Sequence, residues 1–274
     1  MEPAPSARTT MGAVQSFGVS KGEEKGMLRK KTCLVCLILS FTVLVAGAQA
    51  ENTVKLNTLE WEPYVGQKLP DKGFVSAIVS EAFAASGYTV ELSFMPWVRA
   101  KTMAKEGKAD GCMPEYYLED DKADFFISDA FPGGPLGFLQ KKADTIAYTK
   151  LADLKDRKIG TVRGYVNTEE FDKASYLQKE EANDDLTNIR KLMGGRLDLI
   201  IIDKFVGLYL MQQEMPEKVG EIEFISPALE EKTLHVLIAR NAPDAEAKIK
   251  AFNEGLKKIK GSGRIEALMK NSGL

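Results

Sequence analysis

The sequence predicts an α/β protein over residues 51–274, and three observations lead to this fold class. Apolar and polar residues alternate along Thr53–Leu59, as in a strand, and Gly73–Ser86 then carries an apolar stripe of helical spacing. This strand-then-helix order recurs along the chain, which is typical of mainly parallel sheets flanked by helices. Leu197–Ile202 is a strongly apolar run, as expected of a central strand covered on both faces.

Local signals define the other elements in order. Pro96 opens a predicted helix that runs to Glu106, and Gly107 ends it. Further strands are predicted at Tyr88–Phe94, Ala109–Met113, Phe125–Ile127, Leu136–Leu139, Lys158–Val162 and Thr233–Ala239. Further helices are predicted near Thr168–Lys179 and at Leu186–Met193, Phe205–Gln213, Ala245–Lys260 and Gly263–Lys270.

The first 50 residues have the pattern of an export signal. Basic residues Arg29–Lys31 precede Thr32–Ala50, an uncharged run that closes on Ala48-Gln49-Ala50. A basic start, an apolar centre and a small-x-small ending predict a secretory signal peptide, cleaved after Ala50. A membrane anchor is the alternative, since the run is barely long enough to span a bilayer. Translation could begin at Met1, Met11 or Met27.

Composition excludes several classes of protein. Six of the 37 basic and three of the 39 acidic residues lie in residues 1–50, so residues 51–274 have 31 basic and 36 acidic side chains. This balance lacks the basic surface of a nucleic-acid binder. After cleavage Cys112 is the single cysteine and His235 the single histidine, so we expect no disulfide, no metal site and no cofactor.

Five motifs, in order, resemble one known family. They are Trp61-Glu62-Pro63-Tyr64, Gly107-Lys108-Ala109-Asp110, the run from Phe125 to Phe131, the run from Leu151 to Gly160, and Gly195-Arg196-Leu197-Asp198 followed by Asp203. Together they resemble the family 3 extracellular solute-binding proteins, the type II periplasmic binding proteins of ABC importers for amino acids. Pro96-Trp97-Val98-Arg99-Ala100 resembles a subgroup of that family.

The resemblance implies two α/β lobes with a ligand cleft between them. Lobe 1 would comprise residues 51–137 and 238–274, and lobe 2 would comprise residues 142–232. The chain would cross between the lobes near residues 137–141 and 233–239, and the lobes would close on a ligand by a hinge motion. It further implies a periplasmic, monomeric binding protein, not an enzyme, which delivers a small polar ligand to an ABC permease in the inner membrane.

Four expected ligand-binding residues lie in the first lobe's predicted loops. Trp61 and Tyr64 follow the first strand, where an aromatic ring could stack on a ligand. Trp97 and Arg99 lie in the first turn of a helix that follows a strand, and Arg99 could bind a carboxylate with two hydrogen bonds. The alternatives are a core position for the aromatic pair and a surface position for Arg99.

The other expected ligand-binding residues include Glu115 and four residues of the second lobe. The resemblance places Arg163, Gly164 and Tyr165 against the ligand's α-carboxylate, at a helix amino terminus. It places Asp203 against the ligand's amino group, and an N-cap role for Asp203 is compatible with this.

One departure from the family's pattern concerns the ligand. The family's amino-acid binders carry an arginine for the ligand carboxylate where this chain has Asp121. Either Arg99 or Arg163 would take over that carboxylate, or the ligand would differ, for example a cation or a small organic molecule.

Two other functions remain open. A cleft-carboxylate enzyme, of dehydratase or lytic type, could use Glu60, Glu62 or Glu115 as a general acid. A sensory binding protein would present its ligand to a membrane receptor rather than to a permease.

Overall fold

The structure is a computed structural model that describes residues 52–272. The predicted signal peptide therefore lies outside the described residues. Strands are β1 Thr53–Thr58, β2 Thr89–Phe94, β3 Gly111–Tyr116, β4 Phe125–Ile127, β5 Phe131–Lys141, β6 Lys158–Val162, β7 Gln178–Ala182, β8 Leu199–Asp203, β9 Ile222–Phe224 and β10 Glu230–Ala239. Helices are α1 Phe74–Ala84, α2 Trp97–Lys105, α3 Glu169–Lys173, α4 Asp185–Met193, α5 Lys204–Glu214, α6 Ala245–Gly261 and α7 Arg264–Asn271.

The strands form a mixed sheet in the order β2-β1-β3-β10-β5-β8-β6-β7. We call β1–β4 the first half of the sheet and β6–β9 the second half. Within the first half, β2, β1 and β3 are parallel, and within the second half β8, β6 and β7 are parallel. The predicted α/β class is confirmed, with parallel strands inside each half and antiparallel ladders where β5 and β10 join the halves.

Two long strands link the halves. β10 pairs with β3 and β4 along its carboxyl-terminal part and with β5 along its amino-terminal part. β5 in turn continues from this pairing to antiparallel ladders with β8 and β9. β10 therefore carries backbone hydrogen bonds to the first half, β5 carries them to the second half, and the ladder between β5 and β10 joins the two.

Two of the motifs have a structural role that is the same in both halves. Gly107 and Gly195 adopt positive φ angles of 75° and 69° just after α2 and α4, where a side chain would be strained. Three residues later, Asp110 accepts a hydrogen bond from the backbone N–H of Lys55 at 2.7 Å, and Asp198 accepts one from Lys158 at 2.8 Å. Each aspartate thus fixes the start of a neighbouring parallel strand.

One predicted helix is wrong over most of its length. The segment Thr168–Lys179 forms only the five-residue helix α3, and the chain then enters β7, which the sequence did not predict. β7 is an edge strand whose residues are mostly polar or charged and only partly buried, so it lacks the apolar alternation by which a half-buried strand is recognised.

The core of the first half depends on close packing between α1 and α6. The Phe83 and Phe252 rings lie 5.2 Å apart between these helices. At Gly255 the approach is closest, since a Cβ atom there would lie 1.8 Å from the carbonyl oxygen of Ala82.

We therefore expect Gly255→Ala to lower the free energy of unfolding by about 1–3 kcal/mol, because the added methyl group forces the two helices apart. Gly261→Ala is the matched control, since it lies at the end of the same helix with nothing within 4 Å of the added atom. Urea unfolding of both variants measures the difference. Equal stability of the two variants would contradict this account of the α1–α6 contact.

Candidate functional site

The carboxyl edges of the parallel strands in the two halves lie near each other beside β5 and β10, since Tyr116 of β3 is opposite Leu234 and Asp203 of β8 is opposite Leu136. Most predicted site residues lie at this carboxyl edge. In open α/β sheets this edge is where ligands bind, because loops and helix amino termini converge on it. The residues that follow or end these strands are Trp61 after β1, Glu115 and Tyr116 of β3, Tyr165 after β6, Asp184 and Asp185 after β7, and Asp203 of β8.

A narrow cavity lies among these loops, and its empty space of about 310 Å³ includes the solvent at its open mouth. Four of the predicted residues line it, and they come from both halves of the sheet: Trp61, Trp97, Glu115 and Tyr165. Its wall also includes Tyr116 and Leu234. Two wider clefts adjoin it and share Trp61, Trp97 or Tyr165 with its wall. The structure thus brings these four predicted residues together.

Trp61 is held in place by aromatic neighbours. Its ring stacks on Tyr64 with 4.4 Å between centroids, and it meets Tyr116 edge-on at 5.9 Å. Tyr64 is fully buried and is not among the residues that line the cavity. Tyr64 therefore supports Trp61 from behind, which matches the core position left open for it.

Asp203 connects the two halves through hydrogen bonds. Its Oδ2 atom accepts from the hydroxyls of Tyr64 at 3.0 Å and Tyr116 at 3.4 Å. Its Oδ1 atom accepts from the backbone N–H of Phe205 at 2.8 Å and of Val206 at 3.3 Å, capping α5. Both oxygens are therefore engaged within the protein. Burial raises the pKa of Asp203 to about 6, although these hydrogen bonds oppose the shift.

Glu115 is the charged group in the wall of the cavity, and it shares one lysine with Asp121. Lys101 Nζ lies 2.9 Å from Glu115 Oε2 and 2.8 Å from Asp121 Oδ2. Asp121 thus binds a lysine of this chain from the position where the family's pattern has an arginine. Burial raises the pKa of Glu115 to about 7, even though Lys101 favours the ionised form.

Asp185 is a site residue that the sequence did not reveal. It begins α4 directly after β7, is only 7% exposed, and lines a cleft together with Trp61 and Tyr165. Burial and the neighbouring Asp203 raise its pKa to about 7. The sequence offers no reason to expect Asp185 at the site, because it does not predict β7, the strand that precedes this residue.

The two arginines considered for a ligand carboxylate lie on the surface. Arg99 is an exposed residue of α2 and does not line the cavity. Arg163 is exposed, lines one of the wider clefts, and pairs with Glu181 at 3.2 Å. Gly164, at a φ of 78°, lies against Val98 of α2, so that a Cβ atom there would be 2.5 Å from Val98 Cγ2. This contact joins the β6 loop to the first half.

Within residues 52–272, no group of three or more His, Cys, Asp and Glu side chains is placed to hold a metal ion. No helix in that range combines the length and apolar character needed to cross a membrane.

Comparison with solved structures identifies the fold. The GluR0 ligand-binding core from Nostoc punctiforme in complex with L-glutamate superposes with a TM-score of 0.66 at 17% identity, over 80% of this chain and 98% of that one. The substrate-binding protein AbpA from Streptococcus pneumoniae, bound to L-arginine, gives 0.67 at 19% identity, over 81% and 95%. A histidine kinase sensor domain similar to periplasmic binding proteins gives 0.70 at 17% identity, over 81% and 96%.

These likenesses show that residues 52–272 have the type II periplasmic binding protein fold, as the sequence motifs predict. Comparison of the sequence with protein-family models and with curated protein sequences returned no significant match.

The raised pKa values of Glu115 and Asp185 predict how stability changes with pH. Their folded-state values of about 7 exceed the ordinary values of 4.5 and 3.8, so the folded protein holds the protons more tightly. Their contribution to stability is complete below about pH 4 and is lost as the pH rises through about 7. Between pH 4.5 and pH 8, Glu115 should account for a loss of folding stability on the order of 2–3 kcal/mol. Glu115→Gln should abolish this part of the pH dependence.

Urea unfolding at a series of pH values measures this slope. Glu91→Gln, at an exposed position of β2, is the matched control and should leave the slope unchanged. The same slope in Glu115→Gln as in the unmodified protein would show that Glu115 is not desolvated as described.

Proposed function

We propose that this chain is a periplasmic solute-binding protein that captures a small polar ligand and delivers it to an ABC permease in the inner membrane. The observation that carries the proposal is a cavity lined by residues of both halves of the sheet, at the carboxyl ends of its parallel strands. The export pattern of residues 1–50 supports a periplasmic location. The substrate-binding proteins with this fold, among them AbpA, support the transport role.

Two lobes would enclose the ligand. We assign residues 51–137 and 238–274 to lobe 1 and residues 142–232 to lobe 2, with hinges near 137–141 and 233–239. The support for this division is that the two halves of the sheet are joined through the ladder between β10, which pairs with the first half, and β5, which pairs with the second. The contact between Val98 and Gly164 would then lie across the mouth of the cleft and form on closure.

The proposal includes binding but no reaction. The cavity would hold its ligand by stacking on Trp61 and Trp97 and by polar contact with Glu115 and Tyr165. A sensory role is the second candidate, because a histidine kinase sensor domain is among the structures of similar fold. A gene for a permease beside the gene for this chain would favour transport, and a gene for a receptor kinase would favour sensing.

Protein purified from the periplasm of cells expressing the full chain should begin at Glu51 and bind a small polar molecule. Calorimetry against amino acids, amines and small organic acids identifies the class of ligand. Replacing Trp61 by alanine should weaken binding of any ligand found by roughly tenfold or more, because it removes one wall of the cavity.

The matched control is Tyr176→Ala, at an aromatic residue that is 51% exposed and outside the cavity wall. It should bind like the unmodified protein. The proposed function would be contradicted if no compound of the panel gave a heat of binding. It would also be contradicted if the protein converted one of the compounds into a product.

A further inference from the structure

The walls of the cavity are built for an apolar or cationic group. Four aromatic side chains face it from separate segments of both halves: Trp61, Trp97, Tyr116 and Tyr165. Trp61 is fixed by its stack on Tyr64, so this face is formed before a ligand arrives. Aromatic faces carry partial negative charge and attract ammonium and guanidinium groups, above all where water is excluded.

Carboxylates outnumber cations around these walls. Lys101 is shared between Glu115 and Asp121, which leaves this cluster one negative charge in excess when both acids are ionised. Asp185 takes part in none of the ion pairs of the described residues, and Tyr165 is its hydrogen-bonding neighbour. Asp203, behind Tyr64 and Tyr116, accepts only from neutral hydroxyl and amide groups.

Two of the nearby cations are already paired, whereas Lys68, an exposed residue of one of the wider clefts, takes part in no ion pair of the described residues. Lys232 lies 5.3 Å from the centre of the Tyr116 ring, but its Nζ atom is 2.9 Å from Glu230. Arg190, in one of the wider clefts, pairs with Glu214 at 3.2 Å. Among residues 52–272, no arginine or lysine lines the cavity itself. A ligand carboxylate placed there would lie beside Glu115 without a partner, which is costly.

We infer that the cavity selects an organic cation without a carboxylate, such as an alkylamine, a guanidine or a quaternary ammonium compound. The cationic group would lie among the four aromatic side chains, with Glu115 in the wall of the cavity and Asp185 in the adjoining cleft beside Tyr165. This inference rests on the proposed function, because it names the class of ligand for the same cavity.

Ligand affinity should then depend on pH. Glu115 is faced by Lys101 of α2, by Asp121 and Cys112, and by His235 at the opposite position of β10, whose pKa is lowered by burial. Asp185 is faced by Asp203, Asp184 and Tyr165. A bound cation favours the ionised carboxylates, so binding near pH 7 releases protons and tightens as the pH rises from 6 to 8.

Matched pairs of probes that differ only in the carboxylate test the inference. Calorimetry of the periplasmic protein compares agmatine with L-arginine and cadaverine with L-lysine, with L-glutamate and tetramethylammonium completing the set. We expect the amine of each pair to bind at least tenfold more tightly than its amino acid, and glutamate not to bind.

Variants locate the effect. Asp185→Asn and Glu115→Gln should each weaken amine binding at least tenfold and reduce the proton release measured in buffers of different ionisation enthalpy. Asp156→Asn, at an exposed loop position, should change neither. Because Asn and Gln remove buried charge, both variants are expected to fold, and circular dichroism checks this.

The outcomes separate the inference from the proposed function. Tighter binding of arginine or lysine than of the matching amine would overturn the inference and support the solute-binding function. Amine binding that Asp185→Asn and Glu115→Gln leave unchanged would also overturn it. Failure of every probe and of every other small polar compound to bind would overturn both.

Discussion

The buried carboxylate of Asp203 is the interaction on which the arrangement of the site depends. It ends β8, opposite Leu136 of β5, and binds hydroxyl groups of Tyr64 and Tyr116 from the first half of the sheet. The same carboxylate caps α5. A buried charge requires such partners, and here neutral donors supply all of them. The hydrogen bonds thereby connect the two halves, and within residues 52–272 no lysine or arginine forms an ion pair with this carboxylate.

The negative charge around the cavity also depends on the residue at position 121, which is an aspartate. In the pattern that the sequence resembles, an arginine at this position binds the ligand. Here an aspartate binds Lys101, and Lys101 also binds Glu115. The positive charge of Lys101 is thus neutralised by carboxylates of the protein itself. Together with Asp185, the cluster gives a site whose electrostatic character is opposite to that required for a free carboxylate.

Much of the fold could be predicted from the sequence, because buried strands and amphipathic helices leave a clear apolar period. The α1 and α6 helices and the β8 strand are examples, and their observed bounds lie within about two residues of the predicted ones. β7 could not be predicted, since an exposed edge strand has no apolar face to reveal it. The error then concealed Asp185, whose importance depends on following that strand.

Residue type alone predicted less of the site. Aromatic residues beside strand ends are conspicuous in the sequence, and both Trp61 and Trp97 line the cavity. The charge of Arg99 and Arg163 suggests a role in binding a carboxylate, but the direction of a long side chain depends on the tertiary packing of its element. Arg99 is exposed, and Arg163 turns to Glu181 on the neighbouring strand.

The aromatic wall of the cavity has a practical consequence for measurement. The chain contains two tryptophans, and both of them line this one cavity, one beyond β1 and the other at the start of α2. Indole emission responds to the polarity of its surroundings, and no tryptophan elsewhere adds a constant background. The tryptophan fluorescence of this protein therefore arises entirely from the wall of this cavity. A change in its emission should report directly on ligand binding there.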